Sequence, residues 1–174
     1  MSALKIIVWM LPIIFMIHDF EEIVFVEAWK RRQKHRLSVL GEKAPFNDLG
    51  STPSFSIGVL LEFIVFSGIA GFAAISNNYY VWLGLFFGFA GHLVVHCIMA
   101  VNFKGYVPGL YTSLPFLPVS IGIIVFAISR LEMSIFEIGS SFLLGAIIML
   151  GMVKILHLLM DNFETWLTVW SKPR

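Results

Sequence analysis

The stretch KIIVWMLPIIFMIHDFEEIVF, residues 5–25, decides the fold of this chain. It begins as an apolar run and then places four ionisable residues, His18, Asp19, Glu21 and Glu22, before the apolar pattern resumes. A charged side chain at the centre of a bilayer costs about 2.5–3.5 kcal/mol on insertion scales, so such residues need partners. No small-residue cleavage pattern follows the run, and we therefore expect a retained membrane helix that carries functional groups.

The composition of the whole chain is that of a membrane protein. Of its 174 residues, 58% are hydrophobic and 13% are charged, whereas a soluble domain has about 45–50% apolar and about 25% charged residues. These proportions exclude a disordered chain, a collagen, a coiled coil and a secreted disulfide scaffold. The formal net charge of +1 provides no basic field for a nucleic acid, so we expect no nucleic acid as a partner.

Five segments are long and apolar enough to cross a bilayer, which takes about 20 residues. We place them at about 4–27, 55–76, 80–101, 113–130 and 134–164. Because every backbone polar group in lipid needs an internal partner, these segments should be helices. The sequence thus predicts an all-α, polytopic membrane helix bundle with five transmembrane helices, formed by residues 1–174 as a single domain.

The distribution of lysine and arginine predicts the orientation. In a five-span chain, nine of these residues fall on one side, six of them between positions 30 and 43, whereas Lys5 and Arg130 fall on the other. Because cytoplasmic loops carry the excess of positive charge, we expect the N-terminus outside and the C-terminus in the cytoplasm. The lipid bilayer is then the first partner, and a bacterial cytoplasmic membrane is the expected location.

Ionisable residues recur at similar depth inside four of the five predicted spans. His18 and Glu22 lie four residues apart on the first span, and His92 and His96 do so on the third, so each pair shares a helix face. Glu62 lies about two turns into the second span. Given the direction of each span, all these groups fall in the cytoplasmic half of the bundle.

Imidazoles and carboxylates without a thiolate are ligands for zinc, iron, manganese or nickel. The predicted ligands of a divalent metal are His18, Glu22, Glu62, His92 and His96. Zinc is favoured over iron, because three such ligands and an open position form a catalytic zinc site. The set has more ligands than one zinc needs, so a site with two ions is an alternative. Glu21 is the candidate general acid or base, although the sequence does not distinguish its role from that of Glu22.

Further polar residues are expected around this site. Tyr106 and Thr112 lie in and after the turn-rich loop 102–109, and they are predicted to orient a substrate or to support the metal ligands. The loop itself is predicted to form a lid or the mouth of a substrate site. On the fifth span, His157 and Asp161 share a helix face and are predicted to contact the substrate or the ligands. The alternative is a structural ion pair of Lys154 with Asp161 or Glu164 on the same face.

A stripe of small residues marks one face of the third span. Gly84 and Gly88 continue the face that carries His92 and His96. Small residues let neighbouring helices approach closely. This face is therefore expected to pack in the interior, with a homo-oligomer contact as the alternative.

Three motifs, taken in order, resemble one family. His18-Asp-Phe-Glu21-Glu22 is followed by His92-x3-His96 and by Lys104-Gly-Tyr106-Val-Pro108-Gly109-Leu-Tyr-Thr112. This order resembles the HXXEE domain family of small polytopic membrane proteins, over roughly residues 5–130. Lys104 stands where the family pattern has an arginine, so a bidentate anion clamp is not expected there. The resemblance implies an enzyme that works through its polar membrane residues, and it implies no particular substrate.

These residues predict a metal-dependent membrane hydrolase that acts on an amphiphilic or lipid-like small molecule at the cytoplasmic side. Other functions fit the same residues. A di-iron oxidase or hydroxylase would use the carboxylates and histidines as iron ligands, and a proton-coupled carrier would use them to relay protons. A structural subunit of a larger membrane complex is the alternative without either activity.

Overall fold

The computed structural model describes residues 3–47 and 49–172, most of which are helical. The helices are α1 (Ala3–Ile7), α2 (Met10–Arg32), α3 (Lys34–Leu40), α4 (Thr52–Ser76), α5 (Tyr80–Phe103), α6 (Leu110–Leu131) and α7 (Ile135–Trp170), with a 3-10 turn at Gly41–Lys43. No strand occurs within the described residues. Five helical segments, the first made of α1 and α2 together, have the length and hydropathy of membrane spans. The all-α fold with five spans is therefore confirmed.

The first span is interrupted near its N-terminal end. A turn at Val8 and Trp9 separates α1 from α2. Pro12 explains the break, because proline has no N–H to donate to the carbonyl four residues earlier and its ring crowds that carbonyl. The freed carbonyl of Val8 accepts a hydrogen bond of 3.0 Å from the indole N–H of Trp82. Because Trp82 is fully buried, this hydrogen bond ties the start of the first span to α5.

The other spans start and end near the predicted positions, with two informative differences. α6 begins at Leu110 rather than at 113, because a carboxylate from another helix binds its first N–H groups, as described below. α7 continues to Trp170 rather than ending at 164. At a rise of 1.5 Å per residue its 36 residues span about 54 Å, which exceeds the hydrocarbon thickness of about 30 Å.

α5 is the central helix of the bundle. It packs against α4, α6 and α7, while α2 packs against α4 and α6. Its side chains Trp82, Phe86 and Phe89 are fully buried, as is Phe66 of α4. Phe15 of α2 meets Phe66 edge to face, with ring centroids 4.8 Å apart. Many large apolar side chains on the outer faces stay exposed, as expected for helices that are covered by lipid.

Two glycines allow α5 and α7 to approach each other closely. A Cβ atom on Gly145 would overlap the carbonyl group of Gly84, and one on Gly84 would overlap the carbonyl oxygen of Ser141. Ser141 also donates a hydrogen bond of 2.9 Å to the carbonyl of Tyr80. Any side chain larger than hydrogen is thus excluded at the crossing point.

This crossing covers the glycine face of α5. Gly88, one turn after Gly84, lies against Met149 of α7. The interior packing predicted for this face is therefore what is observed. A contact between two copies of the chain stays a prediction, and it would need another surface because α7 already occupies this one.

Gly145→Ala should destabilise the bundle, whereas Gly151→Ala on the same helix should not. A methyl group has no room at position 145, but nothing lies within 4 Å of the place it would take at 151. We expect overpacking to cost about 1–3 kcal/mol and to lower the unfolding temperature in detergent, while the control gains helix propensity. Equal unfolding temperatures for the two variants would contradict the tight crossing.

Candidate metal centre

Four ionisable side chains from two helices converge inside the bundle. α2 contributes His18 and Glu22, α5 contributes His92 and His96, and one ligand atom of each lies within 4.8 Å of all the others. Oε1 of Glu22 is 2.7 Å from Nε2 of His96, 3.5 Å from Nε2 of His18 and 3.9 Å from Nε2 of His92. Four of the five predicted ligands therefore come together.

Burial leaves these groups few other partners. His18 is 0% exposed, His96 is 1% exposed and Glu22 is 5% exposed, whereas the His92 side chain is 37% exposed. Nε2 of His18 and Oε1 of Glu22 are both inaccessible, and neither makes a hydrogen bond of normal geometry. A buried polar atom without a partner costs about 1–3 kcal/mol, so the cluster favours a bound cation.

A chain of hydrogen bonds fixes the ring hydrogen of His18 on Nδ1. Oγ1 of Thr112 is 2.7 Å from Oε2 of Glu21 and 2.8 Å from Nδ1 of His18. The hydroxyl gives its single hydrogen to the carboxylate, which only accepts, and its oxygen therefore accepts from Nδ1–H. Nε2 of His18 then carries an unshared electron pair that faces the cluster.

The backbone fixes His96 in the same tautomer. Its Nδ1 lies 2.9 Å from the carbonyl oxygen of Pro108, which accepts but cannot donate. Nδ1 therefore carries the hydrogen, and Nε2 faces Nε2 of His92 at 3.0 Å. Metal-binding histidines usually donate their other ring N–H to a carbonyl or carboxylate in this way.

Two unshared electron pairs and a carboxylate oxygen thus point at one another. A proton on Nε2 of His96 would form a hydrogen bond to Glu22 but would leave Nε2 of His18 without a partner. A divalent cation satisfies all four groups at once, and three imidazoles with one carboxylate suit zinc, iron, manganese or nickel. The cluster is therefore a candidate metal centre, without a choice among these ions.

Glu21, which was predicted as the general acid or base, points away from the cluster. Its carboxylate accepts hydrogen bonds of 2.7–3.2 Å from the Tyr106 hydroxyl, from the N–H groups of Tyr111 and Thr112, and from the Thr112 hydroxyl. The two N–H groups belong to the first turn of α6, whose N-cap Gly109 has no side chain to bind them. Glu21 therefore caps α6 from another helix, and these contacts support a positioning role rather than proton transfer.

The loop 104–109 lies against the cluster at Pro108 and Gly109, and its role as a lid or substrate mouth stays a prediction. The indole N–H of Trp29 donates a hydrogen bond of 2.8 Å to the carbonyl of Tyr106, and Val107 is fully buried. Burial, and then the hydrogen bond to Glu21, raise the pKa of Tyr106 above its usual range. Its hydroxyl therefore stays protonated and holds Glu21 in place.

A cavity of about 430 Å³ lies beside the cluster. It reaches His92 and His96, and its remaining wall is mainly apolar. Glu62, a predicted ligand, lines this cavity but is not one of the four converging residues. His157 also lines it, whereas Asp161 on the same helix is exposed and lies outside the lining.

Asp19 belongs to this site although no role was predicted for it. It is 5% exposed and lines the cavity together with Glu62. A carboxyl group in the middle of a span is itself a signal of function. The helical period turns Asp19 about 100° from His18, so it lies off the metal-binding face but still reaches the cavity.

The segment around Phe46 also covers the cavity, and no sequence pattern marked it. Lys30 donates hydrogen bonds to the carbonyl oxygens of Phe46 and Leu49, at 2.9 Å and 3.2 Å. The Phe46 ring lies near the His96 ring, with centroids 6.1 Å apart. Lys30, which belongs to the basic run expected to set the orientation, also holds one edge of the site.

Comparison with known proteins assigns the chain to a family. A family model described as "Protein of unknown function with HXXEE motif" matches residues 9–123. The chain belongs to the HXXEE family. The resemblance found in the sequence is confirmed, and the matched range contains all four converging residues of this HXXEE protein. No curated protein matches it, and no solved structure matches it.

Thr112→Val should weaken metal binding, because it removes the hydroxyl that joins His18 to Glu21. The loss of such a supporting contact typically costs about 10–100-fold in metal affinity. We expect a loss in that range for zinc, measured by competition with a chromophoric chelator in detergent. Thr112→Ser keeps the hydroxyl and should bind zinc as the wild type does. If the two variants bind equally well, the hydroxyl does not orient His18.

Gly109→Ala should disturb the ligands directly. Gly109 has a φ of +85°, and a Cβ atom there would lie 2.7 Å from Cε1 of His96 and 2.8 Å from Oε1 of Glu22. Gly41→Ala is the matched control, because Gly41 also has a positive φ, +56°, but nothing lies within 4 Å of its Cβ position. We expect zinc affinity to fall at least about tenfold only in the first variant. The same affinity in both would contradict the role of Gly109.

Proposed function

We propose that this HXXEE protein is a metal-dependent membrane hydrolase that acts on an amphiphilic small molecule. The observation that carries the proposal is the convergence of His18, Glu22, His92 and His96. The hydrogen bonds that fix His18 and His96 with their free nitrogens towards Glu22 support it further. The charge bias of the loops supports a site on the cytoplasmic side of a bacterial cytoplasmic membrane, with the N-terminus outside.

Zinc is the favoured ion, ahead of iron. Histidine nitrogens and a carboxylate, without a thiolate, match catalytic zinc sites, in which three protein ligands leave a fourth position for water or substrate. Three of the four converging residues would hold the ion in that state, because all four together would fill a tetrahedral site. His92 supports such access, because its side chain is 37% exposed and lines the cavity. When bound there, zinc supplies a polarised water for attack on an ester, amide or phosphoester bond.

The surrounding residues hold the ligands in place. Thr112 orients His18, Glu21 holds Thr112 and the start of α6, and Tyr106 holds Glu21. We therefore assign these three residues to positioning. Supporting contacts of this kind raise the basicity of metal ligands and fix the orientation of their rings. Both effects favour the binding of an ion at the cluster.

The cavity supports an amphiphilic substrate. Phe55, Val59 and Phe89 give it an apolar wall beside the polar cluster. Val95 of α5 and Val153 of α7 also line it, and they are 49% and 43% exposed. This exposure supports an opening towards lipid between the two helices, through which an apolar chain can enter while its polar group reaches the cluster.

A di-iron oxidase or hydroxylase is the second candidate. The carboxyl groups of Asp19 and Glu62 in the same cavity favour it, because helix-bundle di-iron proteins use several carboxylates and histidines from neighbouring helices. The four converging residues, however, supply three histidine nitrogens and a single carboxylate. This nitrogen-rich set favours zinc and hydrolysis.

Elemental analysis of the detergent-purified protein, prepared without a metal-affinity tag, tests the proposal. We expect about one equivalent of zinc or more in the wild type, and its loss in the His92→Ala/His96→Ala double variant. His35→Ala is the control, because His35 is exposed on α3, away from the cluster. Zinc-loaded wild type should then hydrolyse chromogenic esters of long-chain acids, and the double variant should not.

Other outcomes separate the alternatives. Bound iron with a redox-dependent absorption would favour the oxidase over the hydrolase. The absence of any metal from the wild type, even after reconstitution with several ions, would refute the ligand assignment. The same histidines and carboxylates would then be better explained as a proton relay, and transport in vesicles would be the next measurement.

A further inference from the structure

Asp19 and Glu62 both line the cavity beside the four converging residues. Asp19 on α2 is 5% exposed, and its Oδ1 is inaccessible and makes no hydrogen bond. Glu62 on α4 lines the same cavity. Oδ1 of Asp19 therefore forms no hydrogen bond to the carboxyl group of Glu62. Because buried polar atoms are normally paired, this oxygen needs another partner.

The cavity has no basic side chain to balance these groups. Among the described residues, no lysine or arginine lines it. The ionisable groups that face it are the carboxyls of Asp19, Glu22 and Glu62 and the imidazoles of His92, His96 and His157. Carboxylates that line one cavity inside a membrane-spanning bundle are costly unless a cation compensates them. An ion at the cluster compensates Glu22 and leaves the other two carboxylates without a partner.

We propose that Asp19 and Glu62 bind a second divalent cation, next to the ion of the cluster. This inference rests on the proposed function, because the second ion is expected only beside the first. Glu22 is one of the four converging residues and lines the same cavity as Asp19 and Glu62, so the two ions would share that cavity.

The chemistry of the two sites differs. The cluster offers mainly nitrogen, whereas Asp19 and Glu62 offer oxygen, which suits magnesium and manganese as well as zinc. A pair of neighbouring ions stabilises both the attacking and the leaving oxygen of a hydrolytic reaction. With a second ion, the site would therefore stabilise the leaving oxygen as well as the attacking one.

Metal stoichiometry of isosteric variants tests this inference. Wild type, Asp19→Asn, Glu62→Gln and Asp161→Asn are stripped with a chelator, dialysed against Zn²⁺ and analysed for zinc per chain. We expect about two equivalents in the wild type and in Asp161→Asn, and about one in the other two variants. Asp161→Asn is the control because Asp161 is exposed outside the cavity. Size-exclusion chromatography in detergent checks that each variant folds. If either Asp19→Asn or Glu62→Gln fails to fold, the other variant still tests the inference.

Manganese tests whether the two ions are neighbours. Electron paramagnetic resonance of the wild type loaded with Mn²⁺ should show two spin-coupled ions, and the Asp19→Asn and Glu62→Gln variants should show isolated ones. The inference is overturned if the wild type binds a single zinc that both variants retain, or two zinc ions that both variants retain. Both results leave the proposed function intact, whereas the absence of zinc from the wild type refutes the proposed function itself.

Discussion

Unshared electron pairs that face one another inside an apolar bundle are the constraint on which this structure depends. Nε2 of His18 and Nε2 of His96 both face Oε1 of Glu22, and hydrogen bonds hold the ring hydrogens on the opposite nitrogens. Without a proton or a metal ion between these atoms the arrangement is repulsive, so the surrounding packing has to hold it in place. The buried ring of Phe89 lies against the rings of His18 and His92, with centroids 5.9 Å and 6.3 Å away.

The HXXEE motif divides its residues between two tasks. His18 and Glu22 lie one turn apart and reach the same point, whereas Glu21 is turned about 100° from Glu22 and reaches the start of α6. There its carboxylate replaces the capping side chain that Gly109 lacks. Gly109 has to be glycine, because His96 and Glu22 occupy the place of a Cβ atom. One motif therefore supplies two of the four converging side chains and also fastens the helix that carries Thr112.

Much of this site follows from local rules, and the remainder depends on contacts between distant segments. Hydropathy gives the five spans, and the spacings 18/22 and 92/96 place the ligands on common helix faces. The sequence places Glu62 on the second span, but the rotation of α4 directs it to the cavity. That rotation depends on packing such as Gly58 against Met160 of α7. Glu21 and Glu22 lie in the same turn, and only the position of α6 distinguishes them. The sequence periodicity of α2 does not predict where α6 lies.

The last helix, α7, forms part of the cavity wall but contributes no residue to the converging cluster. The family match ends at residue 123, and every residue of the converging cluster lies before that point. α7 lies beyond it, yet Met149, Val153 and Leu156 form part of the cavity wall. The segment matched by the family model therefore carries the cluster, while the cavity wall is shared with a helix beyond that segment. A change at these α7 positions alters the shape of the cavity and leaves the four converging side chains unchanged.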